Sequence, residues 1–319
     1  MKQQEYFGFN SINNLEGILK NEKIKNVFLI TGRKSFELCG AKHKLHKIFN
    51  KTDCKFARFY DFSPNPKLKE IQKGLNLFRK GEYDCIMGVG GGSAIDVAKS
   101  IKFFHYKKTK EKKPLIAIPT TAGSGSEATY FIVYYVEKEK KSEGNPVITL
   151  PDYAICDPQL TISSPKRIAA STGMDALTQA IESYWSIHST NESKNLASRA
   201  IRLILNNLEE LINSPSNKSR RNMLKAANLA GKAINITQTT ACHSIAYPIT
   251  SYFNIPHGHA VALTLAEMLV YNSEVKQKDC VDKRGQEYVK GTINKVNEII
   301  GVSTPIEAKD RIYTLMKNI

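Results

Sequence analysis

Cys85-Ile-Met-Gly-Val89-Gly90-Gly91-Gly92-Ser93-Ala-Ile-Asp96-Val-Ala-Lys99 decides the fold of this 319-residue chain. Cys85–Val89 reads as a short buried strand, the glycines as a turn, and Ser93 to Phe104 as a helix. Glycines without a Cβ let backbone amides approach a pyrophosphate. The helix behind them presents unpaired N–H groups and a positive dipole end to it. A plain Gly-rich turn is the alternative. The strand before and the helix after favour a dinucleotide site at Gly90, Gly91, Gly92, Ser93 and Asp96.

Outward from this stretch, the same alternation repeats. Asn26–Ile30, Lys55–Tyr60 and Leu115–Ile118 read as strands. Helical stretches run to about Phe49 and over Lys67–Arg79. Apolar runs of this length between amphipathic helices predict a parallel sheet covered on both faces. Ligands of such sheets bind at the carboxyl ends of the strands. Pro119-Thr120-Thr121-Ala-Gly-Ser124-Gly-Ser126-Glu127 follows one of them, offering Thr120, Thr121, Ser124 and Ser126 as donors to a cofactor; a solvated hydroxyl loop is the alternative. Phe131–Val136, Val147–Leu150 and Tyr153–Cys156 read as further strands. The boundary falls near residue 160, giving an α/β domain over 1–160 and a second domain over 161–319.

Beyond Pro165 the strand signals vanish. Apolar residues recur with helical period through 176–185, 195–212, 221–235, 264–271 and 288–300, so the second domain is expected to be all-helical. Asp175 and Gln179 share a helix face at i, i+4. Three of the seven histidines fall within Cys242-His243 … Pro256-His257-Gly258-His259. Neutral imidazole is a common ligand of divalent ions, but two imidazoles need further partners. Asp175 is the candidate third ligand. Ordinary helix-end and turn histidines are the competing reading.

The net charge is +16, and its lysines are scattered except in 107–113 and 137–141, which read as solvated loops. No basic stripe alternates with aromatics, so no nucleic-acid partner is expected. A compositional bias or an anionic small ligand accounts for the charge. The six cysteines form no CxxC pair and fit buried thiols in a reducing compartment. There is no apolar leader and no run long enough to cross a membrane, so a cytoplasmic protein is expected.

Four motifs together resemble the iron-containing (group III) alcohol dehydrogenase family: Gly90-Gly-Gly-Ser93-x-x-Asp96-x-Ala-Lys99, Pro119–Glu127, Gly173-Met-Asp175-Ala-Leu and Pro256-His257-Gly258. The resemblance runs from about residue 6 to the end. It implies a dinucleotide-binding α/β domain and a helical domain, with nicotinamide and one divalent ion, Fe(II) or Zn(II), between them, and a homodimer. It also implies Asp175, His243 and His257 as metal ligands. Gln179 stands where the family usually has a further His ligand; its amide oxygen binds metals more weakly. Tyr247 stands where a second His is common, and its phenol becomes the candidate proton donor. Many members carry an Asp after the first strand. Here Gly32, Arg33, Lys34 and Ser35 suit the 2′-phosphate of NADP(H) rather than NAD(H).

Residues 171–186, with Ala230-Gly-Lys232-Ala-Ile-Asn235 and Thr239–His243, resemble the phosphonoacetaldehyde reductases within that family. The implied activity is reduction of phosphonoacetaldehyde to 2-hydroxyethylphosphonate, with Lys232 holding the anion. Lys232 lies eleven residues before His243, so it serves only if the chain bends within Ile236–Thr240. The family usually continues for several tens of residues past the point where this chain stops, so either a truncated gene product or a shorter variant is expected. A general short-chain alcohol dehydrogenase, a non-catalytic dinucleotide- or metal-binding remnant, and a synthase-type lyase are the alternatives.

Overall fold

The computed structural model describes residues 3–319; Met1 and Lys2, the start of the segment read as leaderless and of the first domain, lie outside it. The strands are β1 (Gln4–Phe7), β2 (Asn26–Thr31), β3 (Lys55–Phe59), β4 (Cys85–Gly90), β5 (Leu115–Pro119), β6 (Phe131–Val136), β7 (Glu139–Gly144) and β8 (Tyr153–Cys156). Six of them form one sheet in the order β1-β8-β5-β4-β2-β3, every neighbouring pair parallel. The helices of this half are α1 (Asn14–Asn21), α2 (Ser35–Leu38), α3 (Ala41–Thr52), α4 (Leu68–Lys80) and α5 (Gly92–Thr109).

Alternate residues of the buried strands feed two separate cores, because successive side chains leave opposite faces. Val27, Leu29, Met87, Val89, Ile116 and Ile118 pack with Leu15 of α1 and with Leu45 and Phe49 of α3. Phe28, Ile30, Ile86 and Leu115 pack with Ile71 and Phe78 of α4 and with Val97 and Ile101 of α5. Each such side chain contributes about 1.5–3 kcal/mol on burial. This explains why the strands read as unbroken apolar runs.

Several expectations are corrected. Val147–Leu150 is a turn, because the Asn145 side chain accepts from the amides of Val147 (2.9 Å) and Ile148 (3.2 Å) and leaves no ladder to join. The lysine-rich 137–141 segment is not loop throughout: it runs into β7, which pairs antiparallel with β6 after a turn at Glu137 (φ 55°). Polar side chains hid a strand held by its backbone. The helix expected to run to Phe49 breaks at Gly40 (φ 76°) into α2 and α3. Lys107 lies within α5, its ammonium 4.2 Å from the Phe103 ring.

The chain divides into two compact units, and the division differs from a cut near 160: residues 1–121 and 126–165 form one, residues 122–125 and 166–319 the other. The second unit is helical, with α6 (Lys166–Trp185), α7 (Asn191–Asn213), α8 (Asn217–Thr237), α9 (Ala241–Phe253), α10 (His257–Ser273), α11 (Gln286–Ile300) and α12 (Pro305–Asn318). Capping boxes at Thr190/Ser193, Ser216/Ser219 and Thr304/Glu307 start α7, α8 and α12. Residues 122–125 join this unit through glycines: a Cβ on Gly123 would lie 2.3 Å from Thr172 Cβ, and one on Gly125 2.7 Å from Gly231 Cα. No helix among the described residues is long and apolar enough to cross a membrane.

Candidate metal centre

Helix α6 places Asp175, Gln179 and Glu182 at i, i+4 and i+7, hence on one face. His243 is the third residue of α9 and His257 the first of α10. One ligand atom from each of Asp175, His243 and His257 falls within 4.8 Å of the others. The close approach of α10 to α6 depends on Gly258, where a Cβ would sit 1.9 Å from the Ser171 carbonyl oxygen. His259, two residues on from His257, is exposed.

His243 is held from two sides. Its Nδ1 bonds Glu182 Oε2, and its Nε2 lies 3.3 Å from Asp175 Oδ1. Burial opposes its charge, but the contacts with Asp175 and Glu182 outweigh that and hold the imidazole pKa up to about 9. Glu182 is fully buried, and its Oε1 accepts from Thr240 Oγ1 (2.8 Å) and from the Cys242 amide (2.7 Å). Trp185 Nε1 donates to Thr240 Oγ1 at 2.9 Å, which closes the chain of bonds behind the imidazole. Burial pushes the Glu182 carboxyl up, but its bonds with His243 and Thr240 hold it below the usual range.

These residues fit a divalent ion. Two imidazoles and a carboxylate are the donor set of an open, three-ligand site. The side-chain oxygen of Gln179 is buried with no hydrogen-bond partner, while its Nε2 donates to Ser124 O at 3.4 Å. A buried acceptor left without a donor costs about 1–3 kcal/mol, and a cation at the cluster would relieve that.

Tyr247 lies one helical turn beyond His243, its ring 6.1 Å from that of His257 at 27°. Burial raises its phenol pKa above the ordinary value, against a bond with Thr239. Lys232 is half-buried on α8, five residues before that helix ends. The chain does turn after it: Thr237 ends α8, Gln238 takes φ 61°, and α9 starts at Ala241.

In the first unit, Gly91 caps α5 and Gly92 opens it. A Cβ on Gly90 would meet Ala94 Cβ at 2.8 Å. The Ser93 hydroxyl donates to the Pro64 carbonyl. Thr120 N donates to Gly90 O at 2.9 Å, and Thr121 packs beside Gly91. Asp96 and Ser126 come together, but as partners: Ser126 Oγ donates to Asp96 Oδ1 at 2.6 Å. Lys99, fully buried, donates to Ser126 Oγ (2.9 Å), Thr129 Oγ1 (3.2 Å) and Phe131 O (3.0 Å). Ser124 belongs with the helical unit. Gly32, Arg33, Lys34 and Ser35 follow β2, with Arg33 ion-paired to Asp61 at 3.5 Å.

Sequence reasoning missed Glu182, and also Arg58 on β3, whose Nε donates to Thr31 Oγ1 at 2.7 Å and whose Nη2 donates to the carbonyls of Gly32 and Arg33, holding the turn after β2. The spacing Asp175–Gln179–Glu182, which puts a third polar group on the ligand face of α6, was the available signal for the first. For Arg58 there was none, since its role comes from strand pairing.

The fold and site define a two-unit protein: a parallel sheet carrying a glycine turn, and a helical unit carrying a donor cluster that fits a divalent ion. The family pattern of iron-containing alcohol dehydrogenases matches residues 3–158, and that of the C-terminal part of the Fe-containing alcohol dehydrogenase family matches residues 169–319. The chain belongs to the iron-containing alcohol dehydrogenase family.

Among curated relatives, it is 38% identical over 229 residues to long-chain-alcohol dehydrogenase 1 of Geobacillus thermodenitrificans. That match covers 67% of this chain and 58% of the relative, less than two thirds of its length. The NADPH-dependent butanol dehydrogenase of Clostridium saccharobutylicum is 32% identical over 331 residues, covering 98% of this chain and 84% of the relative. Among solved structures, the sulfoacetaldehyde reductase of Bifidobacterium kashiwanohense in complex with NAD+ superposes with a TM-score of 0.77 at 29% identity, covering 94% of this chain and 85% of that one.

Proposed function

We propose that the chain is a metal-dependent, NADP(H)-linked reductase of a small anionic aldehyde, with phosphonoacetaldehyde as substrate and 2-hydroxyethylphosphonate as product. The observation that carries this reading is the Asp175–His243–His257 cluster with the orphaned Gln179 oxygen beside it. When bound, a divalent ion supplies Lewis acidity toward a carbonyl oxygen and reduced nicotinamide supplies a hydride. Asp175, Gln179, His243 and His257 hold the ion, and Glu182 orients His243. Burial keeps the Tyr247 phenol protonated, so its hydroxyl has a proton to give as the alcohol forms. Lys232 supplies the cation for the phosphonate.

A relative that takes sulfoacetaldehyde by its name, another two-carbon aldehyde with an anionic end, supports the substrate class. A relative named for butanol favours a second reading, an enzyme of uncharged short-chain alcohols. The absence of a carboxylate at Gly32 and the cations after it support NADP(H). A homodimer in the cytoplasm completes the reading; the six free thiols fit a reducing compartment, and sedimentation tests the dimer.

The deciding assay follows NADPH oxidation by the Fe(II)- or Zn(II)-loaded chain with phosphonoacetaldehyde, sulfoacetaldehyde and butanal. The reading requires the highest kcat/KM with an anionic aldehyde. A preference for butanal supports the second reading, and cofactor binding without turnover of any aldehyde supports a non-catalytic remnant. Gly32→Asp should swing preference toward NADH. A Cβ there meets only the rotatable Ser35 hydroxyl, 2.2 Å away, so the turn tolerates it. A wild-type chain already faster with NADH would remove the NADP(H) assignment.

A further inference from the structure

A pocket of about 1000 Å³ beside the turn after β2 is lined by Arg33, Arg58, Tyr60, Asp61, Lys73 and Lys80, among others. Four cations face one carboxylate. Asp61 is shared, 3.5 Å from Arg33 and 3.3 Å from Lys73, so it tethers both without neutralising the pocket.

Arg58 is the fixed member of the group. Its guanidinium lies 4.8 Å from the Phe36 ring centre and 4.6 Å from that of Tyr60. Nε donates to Thr31 Oγ1 at 2.7 Å, and Nη2 to the carbonyls of Gly32 and Arg33, both at 3.0 Å. Three of its five N–H groups are therefore spent on the turn. The Nη1 amino group has no acceptor among the described residues. A guanidinium locked between two rings, with a free amino group, is preorganised for a phosphate oxygen and loses little freedom on binding one.

We propose that this pocket is the chain's receptor for the phosphomonoester on the adenosine ribose of its cofactor, with Arg58 Nη1 as the anchor and Arg33 and Lys73 as mobile partners. The inference rests on the NADP(H) reading and replaces Lys34, which is exposed and lines none of the pocket, with residues on β3 and α4. The same Arg58 that shapes the Gly32 turn recognises the group that the turn admits. Choice of dinucleotide is thereby coupled to the register of β2 with β3, which pairs Leu29 with Arg58.

Calorimetric titration of the full chain with adenosine 2′,5′-bisphosphate and with adenosine 5′-monophosphate tests this without any turnover. The readout is the ratio of the two affinities, from which a general loosening of the turn cancels. The wild type should favour the bisphosphate at least tenfold. Arg58→Met should bring the ratio to about one, and Lys73→Met, which breaks no bond to the turn, should lower it about three- to tenfold. Lys34→Met should leave it unchanged. A wild-type ratio of one removes the cofactor reading and the pocket with it. A high ratio that neither Arg58→Met nor Lys73→Met lowers overturns the pocket alone and leaves the NADP(H) reading standing.

Discussion

The buried carboxylate of Glu182 grips Nδ1 of His243 while Asp175 Oδ1 lies 3.3 Å from the opposite nitrogen of the same ring. With its pKa held up near 9, the ring carries a proton on each nitrogen at neutral pH. The proton between His243 and Asp175 stands where a metal ion would bind; one imidazolium against two carboxylates leaves the cluster net negative, with its geometry set in advance to receive a cation.

Glu182→Gln tests that grip. The amide keeps the volume and can still accept from Thr240 and Cys242, but it gives up the charge facing His243. Removing such an outer partner costs about 10- to 100-fold in metal affinity. Chelator competition on the folded variant should show that loss, together with a lower thermal midpoint at neutral pH, because the buried pair with the protonated ring is broken. Unchanged affinity would reduce Glu182 to a packing residue.

His257→Ala should abolish stoichiometric metal binding, whereas His259→Ala should leave it intact, because only His257 enters the cluster. Gln179→His should tighten binding by replacing an amide oxygen with an imidazole. Metal analysis after dialysis reads all three. Equal metal content in wild type and the His243→Ala/His257→Ala double variant would dismiss the site.

Metal uptake should depend steeply on pH. Ligation needs a bare Nε2, so below about 9 each ion expels one proton and affinity rises about tenfold per pH unit. For the metal-free chain the sign is the reverse. The folded pKa lies above the ordinary value, so the stabilisation from this proton is complete below about 6.5 and is lost as pH rises through about 9. Titrations at pH 7, 8 and 9, with urea melts of the metal-free chain, check both slopes.

Lys99 predicts the opposite trend in the other unit. Burial pulls its ammonium from 10.5 down to about 8, against the attraction of Asp96 and Glu127. Between those values the unfolded chain binds more protons, so the cost of burying the cation, complete below about 8, fades as pH rises to 10.5. The stability difference between wild type and Lys99→Met should therefore shift by about 3 kcal/mol in favour of wild type from pH 7.5 to 10.5. A difference that is flat with pH would mean that the folded amine keeps an ordinary lysine pKa, its burial cost offset by its partners or by solvent.

Lys232→Met should raise KM for phosphonoacetaldehyde and lower kcat/KM about ten- to a hundredfold, the worth of one partly buried charge-assisted contact. Propanal should be nearly unaffected. Equal losses for both aldehydes would make Lys232 structural.

The sequence by itself determined the α/β order, the glycine turn, the helical second half and the candidate donors at 175, 179, 243 and 257, because periodicity and local chemistry are written residue by residue. It made the role of Lys232 depend on a bend within Ile236–Thr240, and the turn at Gln238 supplies one. It could not show β7, whose strand is held by backbone pairing beneath polar side chains. Nor could it show that residues 122–125 pack with the helical unit, since that depends on Gly123 and Gly125 lying against Thr172 and Gly231, some 49 and 106 positions away. Glu182 was visible as a letter on the ligand face of α6. Only tertiary structure decided that it lies behind His243, because the partner that gives a buried carboxylate its role comes from a distant helix. Arg58 is the same case: parallel pairing of β3 beside β2 sets its guanidinium against the carbonyls of Gly32 and Arg33, and no local pattern records which strand will lie alongside which.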